Sequence, residues 1–145
     1  MENTSRHYNR PTIFRTANKL RKNGYSLSRA FIIAWTLAKG REVKVNGTTF
    51  STRQEAIVRL TRYPMEQVRF TLLREESNPH DKNAVSVMVS VNGSQAYKIG
   101  YIPAIIAPTV SAILNNGTAI RAQLKAIVGG IGHAVNYGLR LNMSL

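Results

Sequence analysis

Apolar residues recur every three or four positions up to residue 40 and every second position beyond it. "RPTIFRTANKLRKNG" predicts a first helix, with Ile13, Ala17 and Leu20 on one face, Pro11 suited to the first helical position and Gly24 able to take a left-handed stop. "SLSRAFIIAWTLAKG" predicts a second helix between a Ser26 N-cap and Gly40, with Ala30, Phe31, Ala34, Leu37 and Ala38 on its apolar side.

From Arg41 the period changes. "REVKVNGTTF" reads as a strand, and "STRQEAIVRL" opens with Ser51 and Gln54, the capping-box spacing of a short helix. "QVRFTLLRE" alternates Val68, Phe70 and Leu72, and "AVSVMVSV" alternates Val85, Val87, Val89 and Val91. The Asn-Gly pair of "VNGS" suits a type I′ turn, so "QAYKIGYI" is expected to pair back antiparallel. "PAIIAPTVSAILNNG" predicts a helix starting at Pro103 and ending before Gly117, with Pro108 kinking or delaying it. "TAIRAQLKAIVGG" and "YGLRLNMSL" add two strands around an expected flexible loop, "GGIGHAVN". Short strands without long helical crossovers suit an antiparallel arrangement better than a parallel sheet. The expected fold is α+β, mainly β: a small antiparallel barrel of the OB or SH3-like kind, with short helices, preceded by an N-terminal helical hairpin. The expected boundary divides a basic helical region, 1–42, from a barrel, 43–145.

A chain of 145 residues suffices for one domain, or a small domain with an appendage. Absence of cysteine removes disulfides, thiolate nucleophiles and Cys-based zinc sites, and fits a reducing cytosol. Apolar runs such as "AFIIAW" are far shorter than the roughly 20 residues of a membrane span. "MENTSRHYNRP" has no signal-peptide core, so a cytoplasmic protein is expected. Charge narrows the partner more: the formal net charge is +13, and residues 1–62 hold 13 basic and 3 acidic residues against 7 and 4 in residues 63–145. Such an excess favours a polyanion, most often nucleic acid, through counterion release. A basic surface with no cognate ligand is the plainer reading.

Two helices joined by a short turn invite a helix-turn-helix assignment, which the second helix opposes. A base-reading helix needs free polar side chains, whereas "AFIIAW" is apolar around most of its circumference and needs burial. Trp35 lies in that stretch and reads as a core or docking residue rather than a base-stacking one.

The combination "LLREESNPHDKNAVSV", then "IGYIP" with a helix after it, then "IRAQLKAIVGG" and "YGLRLNMSL", with "VKVNGTTFSTRQ" upstream, resembles the HIRAN domain family over about residues 43–145. The resemblance implies an OB-related barrel that binds DNA. In members attached to chromatin-remodelling-type helicases it implies a grip on single-stranded DNA at a free 3′-hydroxyl, and stand-alone forms occur in bacteria and phages. Carried onto this chain, it assigns Asn78, His80 and Asp81 to the end-binding loop, Asp81 as acceptor for the hydroxyl and Tyr101 to a DNA-facing position. Phe50 and Arg53 fall where the family supplies aromatic and basic contacts, and His80 stands where the best-studied members have tyrosine. The chemistry agrees: an ionised carboxylate only accepts hydrogen bonds, so it holds a hydroxyl and repels a phosphate. Pro79 restricts the loop and biases Asn78 towards extended backbone.

Each residue also has a plain structural reading. Asp81 and Asn83 are common turn residues that cap their own backbone. Phe50 is more often core, Arg53 can be a solvated helix residue, and His7 and His133 read as surface residues. Arg15, Lys19, Arg21 and Lys22 give the first helix a basic outer surface for phosphate or partner contacts. Seven acids give one tight group, Glu75, Glu76 and Asp81, and adjacent Glu75 and Glu76 point to opposite faces of a strand, which makes joint metal ligation awkward. "GGIGH" lacks the Lys-Ser/Thr of a phosphate loop. No metal, cofactor or catalytic residue is expected. The expected function is non-catalytic recognition of single-stranded DNA at a 3′ end. The competing reading is a small interaction protein, of phage type, that modulates a nucleic-acid-processing enzyme through the N-terminal helices.

Overall fold

The computed structural model describes residues 7–50, 52–131 and 134–145. Helix α1 (Arg10–Lys22) starts where Asn9 Oδ1 accepts the Thr12 N–H at 3.1 Å, with Pro11 in the first turn. It stops at Gly24, whose φ of +94° lets the Tyr25 N–H reach back to the Leu20 carbonyl at 3.2 Å. Helix α2 (Leu27–Lys39) is capped by Ser26 Oγ, which accepts the Arg29 N–H at 3.3 Å. The buried stripe of α1, Ile13, Ala17 and Leu20, and that of α2, Ala30, Ala34 and Leu37, belong to one core with the sheet. Burying each Ile or Leu contributes about 1.5–3 kcal/mol. Polar ties reinforce the docking: Leu145 N–H donates to the Leu37 carbonyl at 3.2 Å. Tyr25 and Thr109 hydroxyls pair at 3.0 Å, and Lys19 Nζ donates to the Asn116 carbonyl at 2.8 Å.

Six strands follow in one antiparallel sheet: β1 (Arg41–Lys44), β2 (Val68–Arg74), β3 (Val85–Val91), β4 (Tyr97–Tyr101), β5 (Arg121–Ile131) and β6 (Ala134–Ser144), in the order β1-β6-β5-β2-β3-β4. The sheet curls until its two edges meet. Asn46, just past β1, and Tyr101, ending β4, exchange both backbone hydrogen bonds at 2.8 Å. Alternation fills the interior, with Val43, Phe70, Leu72, Val85, Val87, Val89, Ile99, Leu139, Leu141 and Met143 buried. This is the α+β, OB-like barrel that the alternation predicts. The wall is weakest between β2 and β5, which share only the Phe70–Ala122 pair.

The hairpin at Asn92-Gly93 forms as expected, with φ of +52° and +71° at the two central residues. The segment expected as a flexible "GGIGHAVN" loop is instead mostly strand, since β5 runs to Ile131 and β6 starts at Ala134. A bulge at Gly129 and Gly130 makes this possible. Gly129 has φ of +86°, and a Cβ there would overlap the Asn136 carbonyl oxygen, so the ladder continues only because the residue is glycine.

Helix α3 (Arg53–Leu60) packs against β4 and β6, and helix α4 (Ala107–Asn115) against α1 and β3. Ser51 lies outside the described residues, as does His133. The capping box expected of Ser51 and Gln54 therefore lies outside them in part; within them, Gln54 Nε2 donates to the carbonyls of Thr48 and Tyr137 at 2.9 and 2.8 Å, and Oε1 accepts the Tyr137 N–H at 2.7 Å. Helix α4 begins four residues after Pro103, with Pro108 in its first turn, so Pro108 delays rather than kinks it.

Candidate nucleic-acid interface

The chain leaves β2 at Arg74 and returns at Val85 through the Asn-Pro-His-Asp turn. The neck closes where Glu75 N–H donates to the Ala84 carbonyl at 2.9 Å and Ala84 N–H to the Asp81 carbonyl at 3.1 Å. Inside, Asn78 Oδ1 accepts the N–H groups of His80 and Asp81 at 2.9 and 3.1 Å, and Asp81 Oδ1 accepts the Asn83 N–H at 2.8 Å. Two side chains thus replace the backbone partners that a ten-residue excursion would otherwise lack. Arg74 fixes the loop to α4: Nε donates to the buried Ser111 hydroxyl at 2.7 Å, and Nη1 to Asn115 Oδ1 and Glu76 Oε1, each at 2.7 Å.

Next to the loop opens a groove of about 780 Å³, lined by Arg74, Glu75, Asn78, Pro79, Lys98 and Tyr101 among others. Two carboxylates line it: Glu76 pairs with Arg74, and Glu75 is held by the other side chains of the groove. Glu75 Oε2 accepts from the Tyr101 hydroxyl at 2.9 Å and from Asn78 Nδ2 at 3.0 Å, Oε1 pairs with Lys98 Nζ, and Lys98 also reaches the Tyr101 hydroxyl at 2.9 Å. Burial presses the Glu75 carboxyl upward, but hydrogen bonds from Lys98, Asn78 and Tyr101 and the Lys98 charge outweigh it and hold the group below its ordinary value. The same bond to Glu75, with that to Tyr101, raises Lys98.

A stacked row borders the groove. The Arg53 guanidinium lies 5.7 Å from the Tyr101 ring centre and 5.9 Å from that of Phe50, while Arg53 Nη1 donates to the Gly47 carbonyl at 2.7 Å. Phe50 is 67% exposed, so its ring is presented to solvent rather than packed in the core.

Of the residues named from sequence, Asn78 and Tyr101 line the groove, with Phe50 and Arg53 beside Tyr101. His80 is exposed and Asp81 half-buried on the loop beyond Pro79. Arg15, Arg21 and Lys22 are exposed on α1, while Lys19 bends to Asn116. Sequence reasoning missed Arg74, Glu75 and Lys98 as a unit. Lys98 and Tyr101 stand three apart and should face opposite ways, but the β3–β4 register shifts between Val87 and Met88, leaving Ile99 as the extra residue. That bulge brings both side chains to Glu75. Gly100, inside a strand, is the one sequence cue to it.

Glu76 lines the same groove but pairs with Arg74, while Asp81 caps Asn83, so the tight acidic group does not converge on one point. Among the described residues, no group of three or more His, Asp or Glu is placed to hold a metal ion, and no helix is long and apolar enough to cross a membrane.

Comparison with known families places the chain. The HIRAN domain model matches residues 28–144. The chain belongs to the HIRAN domain family. The match begins inside α2, upstream of the stretch whose motifs carry the resemblance, and takes in the whole sheet. HIRAN domains are DNA-binding modules that take single-stranded DNA, often at 3′ ends. A crystal structure of a Lactobacillus plantarum protein is similar at 18% identity and a TM-score of 0.47, over 73% of this chain and 95% of that one. Comparison with curated proteins gives no match.

Proposed function

We propose that this HIRAN protein is a non-catalytic DNA-binding module that takes the free 3′ end of a single strand in the groove beside the 75–84 loop. The observation that carries the reading is the Phe50–Arg53–Tyr101 row standing next to a groove that holds both a carboxylate and an ammonium group. Aromatic faces and a guanidinium stack bases of any sequence. Asp81 is the acceptor for the terminal hydroxyl. Its Oδ1 is engaged by Asn83, but among the described residues Oδ2 has no hydrogen-bond partner, which suits that role. Asn78 and Pro79 hold the loop, His80 offers an imidazole face, and Arg15, Arg21 and Lys22 add phosphate contacts from α1.

The test compares oligonucleotides that differ only at the terminus: 3′-hydroxyl, 3′-phosphate and closed circle. The hydroxyl form is expected to bind tightest, with Asp81→Ala removing that preference alone. Equal affinity for all three would end the reading.

One observation favours a second reading, in which the protein modulates a nucleic-acid-processing enzyme by docking on it. Ile32 on α2 and Ile105 before α4 are 65% and 90% exposed and border an apolar groove of about 220 Å³. Retention of such an enzyme after nuclease treatment, lost in Ile32→Asp with Ile105→Asp, would favour it over the first.

A further inference from the structure

The outer face of the sheet carries a second set of cations, apart from the groove. Lys44 on β1 stands opposite Arg140 on β6, and Arg140 stands opposite Ala126 on β5. A register shift between Leu124 and Ala126 leaves Lys125 as the bulged residue there, so Lys44, Arg140 and Lys125 form a row across three strands, all exposed. Their neighbours in the ladder, Val43, Leu141 and Leu124, point the other way, into or against the core. Further along β5, Arg121 lies on the same outer side, and across the parted β2–β5 seam Arg69 flanks it, both lining an open groove of about 750 Å³. Two acids are near: Glu42, which pairs with Arg140 at 3.2 Å, and Glu66 at the groove's rim.

What this face lacks is as telling as what it holds. None of the exposed positions named is aromatic, and Phe70, which lines the groove, is buried, whereas single-strand surfaces rely on exposed rings for stacking. Long flexible cations without rings recognise phosphate alone, which is how a duplex backbone is held irrespective of sequence. The face also adjoins the end-binding groove, because Lys44 lies two residues from Asn46, the residue paired with Tyr101. We infer that the outer face of β1, β6 and β5, with Arg69 of β2, binds the duplex backbone of a 3′-tailed DNA whose single-stranded tip occupies the Phe50–Arg53–Tyr101 groove. The juxtaposition with the tip rests on the proposed function; the duplex contact does not.

Binding is measured by fluorescence anisotropy on the full chain with three probes: a blunt duplex, a short single strand with a free 3′-hydroxyl, and the duplex carrying that strand as a 3′ tail. The tailed probe is expected to bind at least tenfold tighter than either part. Lys44→Gln with Arg121→Gln and Lys125→Gln should weaken the blunt and tailed probes and lower their salt slope by about 2.7, from three lost duplex phosphate contacts. Binding of the single strand should stay nearly unchanged. Arg29→Gln with Arg59→Gln and Arg62→Gln removes the same charge elsewhere and should leave the duplex slope intact. If both triple variants act alike on the duplex, or the tail adds nothing to duplex binding, the inference is overturned. Failure of end recognition alone would show instead as equal binding of 3′-hydroxyl and 3′-phosphate strands with the duplex results unaltered.

Discussion

The Tyr101 hydroxyl donates to Glu75 Oε2 at 2.9 Å, joining the end of β4 to the first residue beyond β2 across the mouth of the groove. Tyr101 also holds the sheet's closure through its backbone, so one residue couples the barrel seam to the binding loop. Tyr101→Phe keeps the ring and the backbone pairing but removes the bond to a charged acceptor, at a cost of about 1 kcal/mol for a partly exposed site. Urea unfolding should show that loss, while binding of a single strand, which uses the ring, should persist. A variant as stable as the parent would mean the bond contributes nothing.

The Glu75–Lys98 pair predicts a pH profile. Glu75 titrates below its ordinary 4.5 in the folded protein, so its contribution is present above that value and is lost as pH falls through the folded value. Lys98 titrates above its ordinary 10.5, so its contribution is present below that value and is lost as pH rises through the folded value. Thermal midpoints are expected to fall at both ends, and Glu75→Gln should flatten the acid limb. An unchanged acid limb in that variant would place the sensitivity elsewhere.

Gln54 offers a sharper structural test, because its amide both donates to and accepts from the backbone of Tyr137. Gln54→Glu retains an acceptor for the Tyr137 N–H but sets a carboxylate against the carbonyls of Thr48 and Tyr137. It should destabilise by about 1 kcal/mol at neutral pH, the low end of the cost of unmatched polar groups, because the site is only partly buried. Partial recovery is expected on acidification as the carboxyl gains a proton. Equal stability of parent and variant in denaturant titrations would contradict this account of the α3–β6 junction.

Strands with alternating apolar residues were legible because a period of two leaves few alternatives, as at Phe70 and Leu72 or at Val85, Val87 and Val89, although Ser86 between the valines is buried as well. The turn at Asn92-Gly93 was legible because few residue pairs accept two positive φ values. The bulges were not: at Gly129 two glycines read equally well as a loop, and at Ile99 one extra residue reverses which side chains share a face. The loop was therefore found by its motif, whereas the Glu75–Lys98–Tyr101 unit depended on a register that no local pattern encodes. Likewise, the apolar stripe of α1 and α2 required a cover, but nothing in it specified that the barrel supplies one.

The last prediction separates stacking from charge at the groove. Phe50 is largely exposed, so Phe50→Ala should change folding stability by no more than about 0.5 kcal/mol. If the ring stacks on a base, its loss weakens single-strand binding by about 1–3 kcal/mol, or roughly 5- to 150-fold, with little change in salt slope. Arg53→Lys keeps the charge and loses the planar group between two rings, so it should weaken binding in the same salt-independent way. A purely electrostatic groove behaves otherwise: Phe50→Ala would bind as the parent does, Arg53→Lys would be silent, and only Arg53→Ala would lower both affinity and slope. Anisotropy titrations of these three variants at two salt concentrations distinguish the cases.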